Sequence, residues 1–365
     1  MIPVIRPVLG DEEAAAAAEA VRSGWVAQGP RVAEFERAFA GRVGAGHGVA
    51  TSSCTTALHL ALLLVGVGAG DEVVVPSLSF IATANAVRYC GATPVFADVD
   101  ATTGNVTAKT VETAINARTR AVIAVDQAGI PCDLDEITAL GVPVIEDAAC
   151  AAGSTYRGRP VGAGAEVAAW SFHPRKLITT GEGGMLTTRS GDWARRARRL
   201  REHGMSVSAA ERHASRTAVV EEYSETGFNY RMTDIQAAIG LVQLKRLDEI
   251  IARRRALAAR YQRLLPGFET ARDPAYGETN YQSFWIVLPD DHPIGRDALL
   301  ARLAEEGISA RRGIMAAHLE PAYAGTPADL PVTERLTRRS LILPLFHEMT
   351  DAEQDRVVSV IAEAR

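Results

Sequence analysis

A chain of 365 residues, 47% of them apolar, is long enough for two domains, or one large and one small, around a sizeable core. A net charge of −5 with both signs interspersed and no basic stripe argues against nucleic acid as a partner. Four cysteines without CxxC or metal spacing, no apolar run of membrane-spanning length and no signal-like start predict a reduced, cytoplasmic protein.

In chain order, Asp11 is placed to cap an alanine-rich helix that stops near Gly24, and residues 23–30 read as a loop carrying Trp25. A second amphipathic helix is predicted over 32–43, with Phe35 and Phe39 inward. Short apolar runs then alternate with helical stretches. Strands are predicted at 48–51, 72–75, 94–97, 121–125, 142–145, 168–172 and 185–188, and helices at 55–65, 81–89, 109–117 and 134–140. Strand–helix alternation with continuously apolar strands predicts an α/β protein, with a mainly parallel sheet covered by helices on both faces. The last two strands lack a helix between them, which makes one of them a candidate antiparallel strand. The arginine-rich run 195–201 reads as one face of a surface helix, with a site for an anionic ligand as the alternative. A long helical stretch over 233–265 is expected to break near Leu247 and Asp248. Beyond it, a strand at 283–288, a helix at 296–306, a strand at 308–311 and a helix at 351–364 predict a smaller α/β unit. The boundary is placed near residue 250, giving a large domain 1–250 and a small domain 251–365.

The chemistry-bearing stretch is Trp170-Ser171-Phe172-His173-Pro174-Arg175-Lys176, followed by a glycine-rich turn through Gly184. A lysine taken alone is most often a solvated loop residue. Its neighbours change that reading. A strand ending in Glu146-Asp147 and a Ser…Lys loop suit a carbonyl cofactor held as a Schiff base, with the lysine amine forming the imine, the serine reaching a phosphate and the aspartate pairing with a ring nitrogen, as pyridoxal phosphate (PLP) requires. The stretch 51–58 joins a strand to a helix and offers hydroxyls and free N–H groups, either as a phosphate site or as an ordinary helix cap. Phe80 follows the next strand, where an aromatic can stack on a flat cofactor or serve as core. The glycine-rich pieces at 44–48 and 66–70 lack the spacing of a dinucleotide fingerprint, and the histidines lack metal spacing, so no metal is expected.

Taken in order, these motifs resemble the sugar aminotransferases of PLP fold type I, the DegT/StrS group. The resemblance rests on Ser23-Gly24-Trp25, Gln28-Gly29-Pro30, the 53–58 turn, Glu146-Asp147-Ala148-Ala149, the 171–184 stretch and the run from Gly227 to Ala238, and it covers nearly the whole chain. It implies Lys176 as the Schiff-base lysine, Asp147 as the pyridinium partner, Ser171 with Thr55 and Thr56 as the phosphate cradle, and Phe80 as the stacking ring. It implies a homodimer in which Asn229 reaches the neighbouring subunit's phosphate, and it puts Trp25 and His318 near the sugar. Cys150 stands near the cofactor's ring oxygen where many relatives carry glutamine or histidine, and Asp126-Gln127 stands where many carry histidine. The implied reaction moves an amino group from an amino acid, glutamate or glutamine, to a keto-sugar, nucleotide-linked or a cyclitol, by a ping-pong cycle that needs a lowered Lys176 pKa. The alternatives are a sugar dehydratase of the same group, against which Lys176 argues because those relatives carry histidine there, and a non-catalytic PLP-binding regulator. An NAD oxidoreductase is more distant.

Overall fold

The computed structural model describes residues 1–207, 218 and 220–364. The apolar runs become strands β1 (His47–Thr51), β2 (Glu72–Pro76), β3 (Thr93–Ala97), β4 (Thr119–Val125) and β5 (Val144–Asp147). The short pair β6 (Thr155–Tyr156) and β7 (Arg159–Pro160) comes next, then β8 (Val167–Ser171) and β9 (Gly184–Thr188). Among the described residues all of these but β6 and β7 form a seven-stranded sheet in the order β1-β9-β8-β5-β4-β2-β3. The core strands pair in parallel. β9 is the antiparallel strand the sequence allowed for, and it pairs with both β8 and β1.

Period-two alternation decides which helix layer each residue meets. Val73 and Val75 pack with Ile123, Ile145 and Leu186 against α3 (Cys54–Leu64) and α4 (Ala82–Tyr89), while Val74, Val122, Ala168 and Trp170 face the other layer. On that second side Phe35 and Phe39, carried by the helix Pro30–Arg42, meet Trp170 and Phe172 at ring-centroid distances of 5.1 and 5.2 Å. Burying each such side chain is worth about 1.5–3 kcal/mol.

Several expectations are corrected. The first helix, Asp11–Arg22, is capped by Gly10 rather than Asp11, with Glu13 reaching back to the Gly10 N–H at 2.7 Å. The helix expected at 109–117 is only Ala108–Glu112. The long helix runs unbroken from Asp234 to Leu264 and so carries residue 250 in its middle. Leu-Asp is no helix breaker: Leu247 is buried, and Asp248 faces solvent and pairs with Arg42. Further along, the buried Arg254 donates to the carbonyls of Tyr281, Gln282 and Leu345, tying the helix to the C-terminal unit. That unit holds a four-stranded sheet, β10 (Glu269–Thr270), β12 (Phe284–Val287), β14 (Ser340–Leu343) and β13 (Arg311–Arg312); β11 (Gly277–Glu278) instead joins β6 and β7. The strand expected at 308–311 is thus displaced to 311–312, and β14 was not foreseen. The arginine-rich run lies on the helix Gly191–Leu200 and beyond, but Arg201 is buried against Glu36 and the Ala50 carbonyl rather than on a surface face. No helix among the described residues is long and apolar enough to cross a membrane.

Candidate active site

β5 and β8 are neighbours, and their carboxyl ends deliver Asp147 and Ser171 to the N-terminus of α3. The approach requires glycine at 184. Gly184 is paired with both Thr51 and Ser171, and a Cβ there would lie 2.3 Å from the Ser53 carbonyl carbon.

Asp147 is 4% exposed. Its Oδ2 accepts from the Thr83 hydroxyl at 2.9 Å, its Oδ1 accepts from the Ala149 N–H at 3.3 Å, and the Cys54 Sγ lies 4.0 Å from Oδ1. Burial raises its pKa, opposed by the Thr83 hydrogen bond and the Lys176 charge. A carboxylate so desolvated is completed by a cation, which is what a protonated ring nitrogen is.

Lys176 is held by a closed loop. Its N–H donates to the His173 carbonyl at 2.8 Å, the Thr180 N–H donates to the Phe172 carbonyl at 3.0 Å, and the Phe172 N–H donates to the Gly183 carbonyl at 2.9 Å. Gln282 pins the loop from the C-terminal unit, accepting from the Leu177 N–H at 3.0 Å and donating to the Arg175 carbonyl at 2.5 Å. The Lys176 Nζ lies 3.0 Å from the Cys150 Sγ. The chemistry calls for a lowered lysine pKa, yet in the protein alone the balance runs upward: burial pushes it down, and the Cys150 sulfur, Cys54 and Asp147 outweigh that.

The start of α3 supplies an anion cradle. Ser53 is the cap, its Oγ accepting from the Thr56 N–H at 3.2 Å, and Thr56 Oγ1 accepts in return from the Ser53 N–H at 3.1 Å. The Thr56 hydroxyl also donates to the Ser53 carbonyl at 2.8 Å, so it is spent on the turn. The N–H groups of Cys54 and Thr55 and the Thr55 hydroxyl have no partner among the described residues. The Ser171 Oγ accepts from the His173 N–H at 3.4 Å, leaving its own proton to donate. Open N–H groups at a helix N-terminus with two hydroxyls suit a phosphate. Phe80 is 69% exposed, and its carbonyl accepts from the N–H of Thr83, the residue whose hydroxyl holds Asp147.

A phosphate cradle, a buried carboxylate and a lysine together fit PLP. The chain matches the DegT/DnrJ/EryC1/StrS aminotransferase family over residues 7–362. It belongs to that family. Among solved structures, this aminotransferase is similar to the aminotransferase TlmJ from Streptoalloteichus hindustanus, with 38% identity, a TM-score of 0.91 and coverage of 100% of this chain and 98% of that one. It is similar to Spr1654 from Streptococcus pneumoniae in its PLP form, with 27% identity, a TM-score of 0.92 and coverage of 100% and 99%. It is also similar to PseC of Helicobacter pylori, an aminotransferase involved in pseudoaminic acid biosynthesis, with 26% identity, a TM-score of 0.92 and coverage of 100% and 98%. Its fold is that of these PLP aminotransferases, and its cofactor is PLP.

The remaining sequence candidates lie around this centre. Asn229 is exposed in a strip that hydrogen-bonds along Leu200–His203, and the carbonyl of its neighbour Tyr230 accepts from the Ser52 N–H, two residues before α3. Trp25 is half-buried against Gly29, in a loop fastened by Asp234, whose carboxylate accepts from the N–H groups of Gly29, Arg31 and Val32 at 2.8–3.1 Å. The His318 ring is turned inward, its Nδ1 2.6 Å from the Ser77 Oγ and its Nε2 3.7 Å from Glu334. Asp126 is buried with its Oδ1 accepting from the Cys132 N–H at 2.8 Å. His318 makes no hydrogen bond or ion pair with Lys176 or Asp147 among the described residues. Sequence reasoning assigned no role to Thr83, Cys54 or Gln282. Thr83 carried a usable signal, three residues after Phe80 on the first turn of α4, whereas Gln282 lies 105 residues from the loop it pins and carried none.

Proposed function

We propose that this sugar aminotransferase takes an amino group from glutamate or glutamine and passes it to a keto-sugar carried on a nucleotide, with Lys176 as the covalent anchor of the cofactor and Asp147 as the partner of its ring nitrogen. The observation that carries the reading is the convergence of these two groups on one buried centre. The chain has only three lysines, and the other two, Lys109 and Lys245, are exposed.

PLP supplies an electron sink at the amino-acid Cα once its ring nitrogen is protonated. Asp147 keeps that proton in place because a positive charge against the buried carboxylate offsets its desolvation. Thr55, Ser171 and the open N–H groups of α3 hold the phosphate, while Thr56 maintains the turn that aims them. Phe80 covers one face of the ring. With the cofactor bound, the free Lys176 amine would move a proton from the amino-acid Cα to the cofactor's C4′, and in the second half-reaction from C4′ to the former carbonyl carbon of the acceptor. Cys150, 3.0 Å away, holds that amine in reach. The protein works as a homodimer in the cytoplasm, with Asn229 lending its amide to the neighbouring subunit's phosphate. Trp25 approaches the sugar. His318 supports the wall of the site through Ser77 instead of touching substrate.

The test combines labelling and exchange. Borohydride reduction of the yellow protein should fix the cofactor to the peptide containing Lys176; label on Lys109 or Lys245 would refute the assignment. Glutamate or glutamine should bleach the visible band, and one member of a panel of keto-sugar nucleotides and inososes should restore it. Restoration by an inosose alone would replace the nucleotide-sugar acceptor with a cyclitol.

A further inference from the structure

We propose that Asn280 and Gln282 are positioning residues for the Lys176 amine: one buried turn of the C-terminal unit fixes both the loop that carries the lysine and the sulfur that the lysine faces. The inference rests on Lys176 being the lysine that anchors the cofactor.

Residues 279–282 lead into β12, and all four are buried. Gln282 reaches the lysine loop on both sides of Lys176. Its Oε1 accepts from the Leu177 N–H at 3.0 Å, and its Nε2 donates to the Arg175 carbonyl at 2.5 Å. Asn280 reaches the segment that follows Asp147. Its Nδ2 donates to the carbonyls of Cys150 and Ala152 at 2.8 and 2.9 Å, and its N–H donates to the Ser154 Oγ at 3.0 Å. The two residues are joined to each other, since the Asn280 Oδ1 accepts from the Gln282 N–H at 2.8 Å. Cys150 and Lys176 stand 26 positions apart, yet one hydrogen-bonded unit holds the backbone on both sides of the 3.0 Å contact between Sγ and Nζ.

The turn is made at a conformational cost. Tyr281 has a φ of 51°, in the left-handed region that L side chains rarely adopt. Arg254 holds it there, donating to the Tyr281 and Gln282 carbonyls at 2.8 and 2.7 Å. The facing loop admits Asn280 only because residue 129 is glycine: its φ is 90°, and a Cβ there would lie 1.9 Å from the Asn280 Oδ1. Strain of this kind persists where surrounding contacts over-determine it, and it gathers at sites that need preorganisation. Elsewhere the C-terminal unit is joined to the rest without reaching the site: Asp98 accepts from the first-turn N–H groups of Val332 and Thr333 at 3.1 and 2.8 Å.

The consequence is chemical. Lys176 must present a neutral amine to an aldehyde and later move a proton between two carbon atoms, and both tasks depend on where Nζ sits. The groups that favour its charge are Cys150, foremost, then Cys54 and Asp147. Without the Gln282 bonds the loop is free to move against the sulfur, and the amine loses the contact that favours its proton.

The test uses Gln282→Met, which keeps the length and loses both side-chain bonds, and Asn280→Leu, which keeps the shape and frees the Cys150 carbonyl. Neither adds a charge. Gln354→Met is the control, a buried amide of the same unit that donates to the Leu257 carbonyl at 3.0 Å. Stopped-flow absorbance follows imine formation when PLP is added to the cofactor-free protein across pH, and conversion of the loaded protein by glutamate across concentration. Gln282→Met should lower the limiting rate of conversion by about ten- to a hundredfold, with half-saturating glutamate within about twofold. The midpoint of imine formation against pH should move down by about half a pH unit or more in Gln282→Met and in Asn280→Leu, because a less favoured proton leaves the amine at lower pH. Gln354→Met should lower the melting temperature and move neither readout. A variant that fails to fold is replaced by Gln282→Asn, whose amide is one methylene too short to span both bonds. A wild-type limiting rate and an unmoved midpoint in Gln282→Met, with borohydride label still on Lys176, overturn the positioning role and leave the anchor in place. Equal effects from Gln354→Met reduce the role to stability and overturn it too. Label on Lys109 or Lys245 of the wild type overturns the anchor and the positioning together.

Discussion

Glu146 offers a test of how this site manages buried charge. It precedes Asp147 on β5, and alternation sends its side chain to the opposite face of the sheet. The residue is 2% exposed, and its Oε2 has no partner among the described residues. Asp126, just past the end of the adjacent strand β4, is buried with its Oδ2 equally unpartnered. Burial pushes the Glu146 pKa up to about 7 from 4.5, opposed by the Gly162 N–H, and Asp126 is raised by burial and then by the charge of Glu146. The folded protein therefore keeps a proton on Glu146 that the unfolded chain releases. The stabilising contribution is full below the unfolded pKa and is lost as pH rises through the folded one. Between about pH 5 and about pH 8 this group alone should remove about 2–3 kcal/mol of stability. Glu146→Gln keeps the shape and does not titrate. Urea unfolding of the cofactor-free protein at the two pH values should show the variant losing less stability than wild type by that amount. A new amide left without an acceptor shifts both pH values alike and cancels in the comparison. If variant and wild type lose stability in parallel, Glu146 is not protonated in the folded protein and the reasoning fails.

Asp147→Asn keeps the Thr83 hydrogen-bonding position but removes the charge; cofactor binding measured by absorbance should persist, while single-turnover conversion by glutamate should fall by about a thousandfold, about 4 kcal/mol of barrier. Conversion near the wild-type rate would mean another group partners the ring nitrogen. Lys176→Ala and Asn229→Asp should each be nearly inactive, the second because a carboxylate beside a phosphate repels it. Refolded together in equal amounts, the two should recover activity in about a quarter of all sites, because about half of the dimers are mixed and each mixed dimer has one intact site. No recovery, with mixed dimers shown to form, would place Asn229 in its own subunit's site.

Much of the framework is written locally. Continuous apolar runs mark β2, β4, β5 and β8 as doubly buried strands, because successive side chains meet opposite layers and both must be apolar. The turn before α3, the strand-end Asp147 and the Ser171…Lys176 loop are likewise readable, since each is a short stretch whose chemistry depends on spacing alone. What the sequence could not decide depends on partners far along the chain. The Thr56 hydroxyl was a cradle candidate until the cap geometry used it, and His318 was a substrate candidate until Ser77, 241 residues away, took its Nδ1. The expected break in the long helix is absent because Leu247 packs into the core and Asp248 faces solvent beside Arg42, more than two hundred residues earlier in the chain. The direction of the Lys176 shift was also a tertiary matter. Its own loop says only that the amine is desolvated; the Cys150 sulfur, 3.0 Å away, with Cys54 and Asp147, comes from other parts of the chain and outweighs that burial.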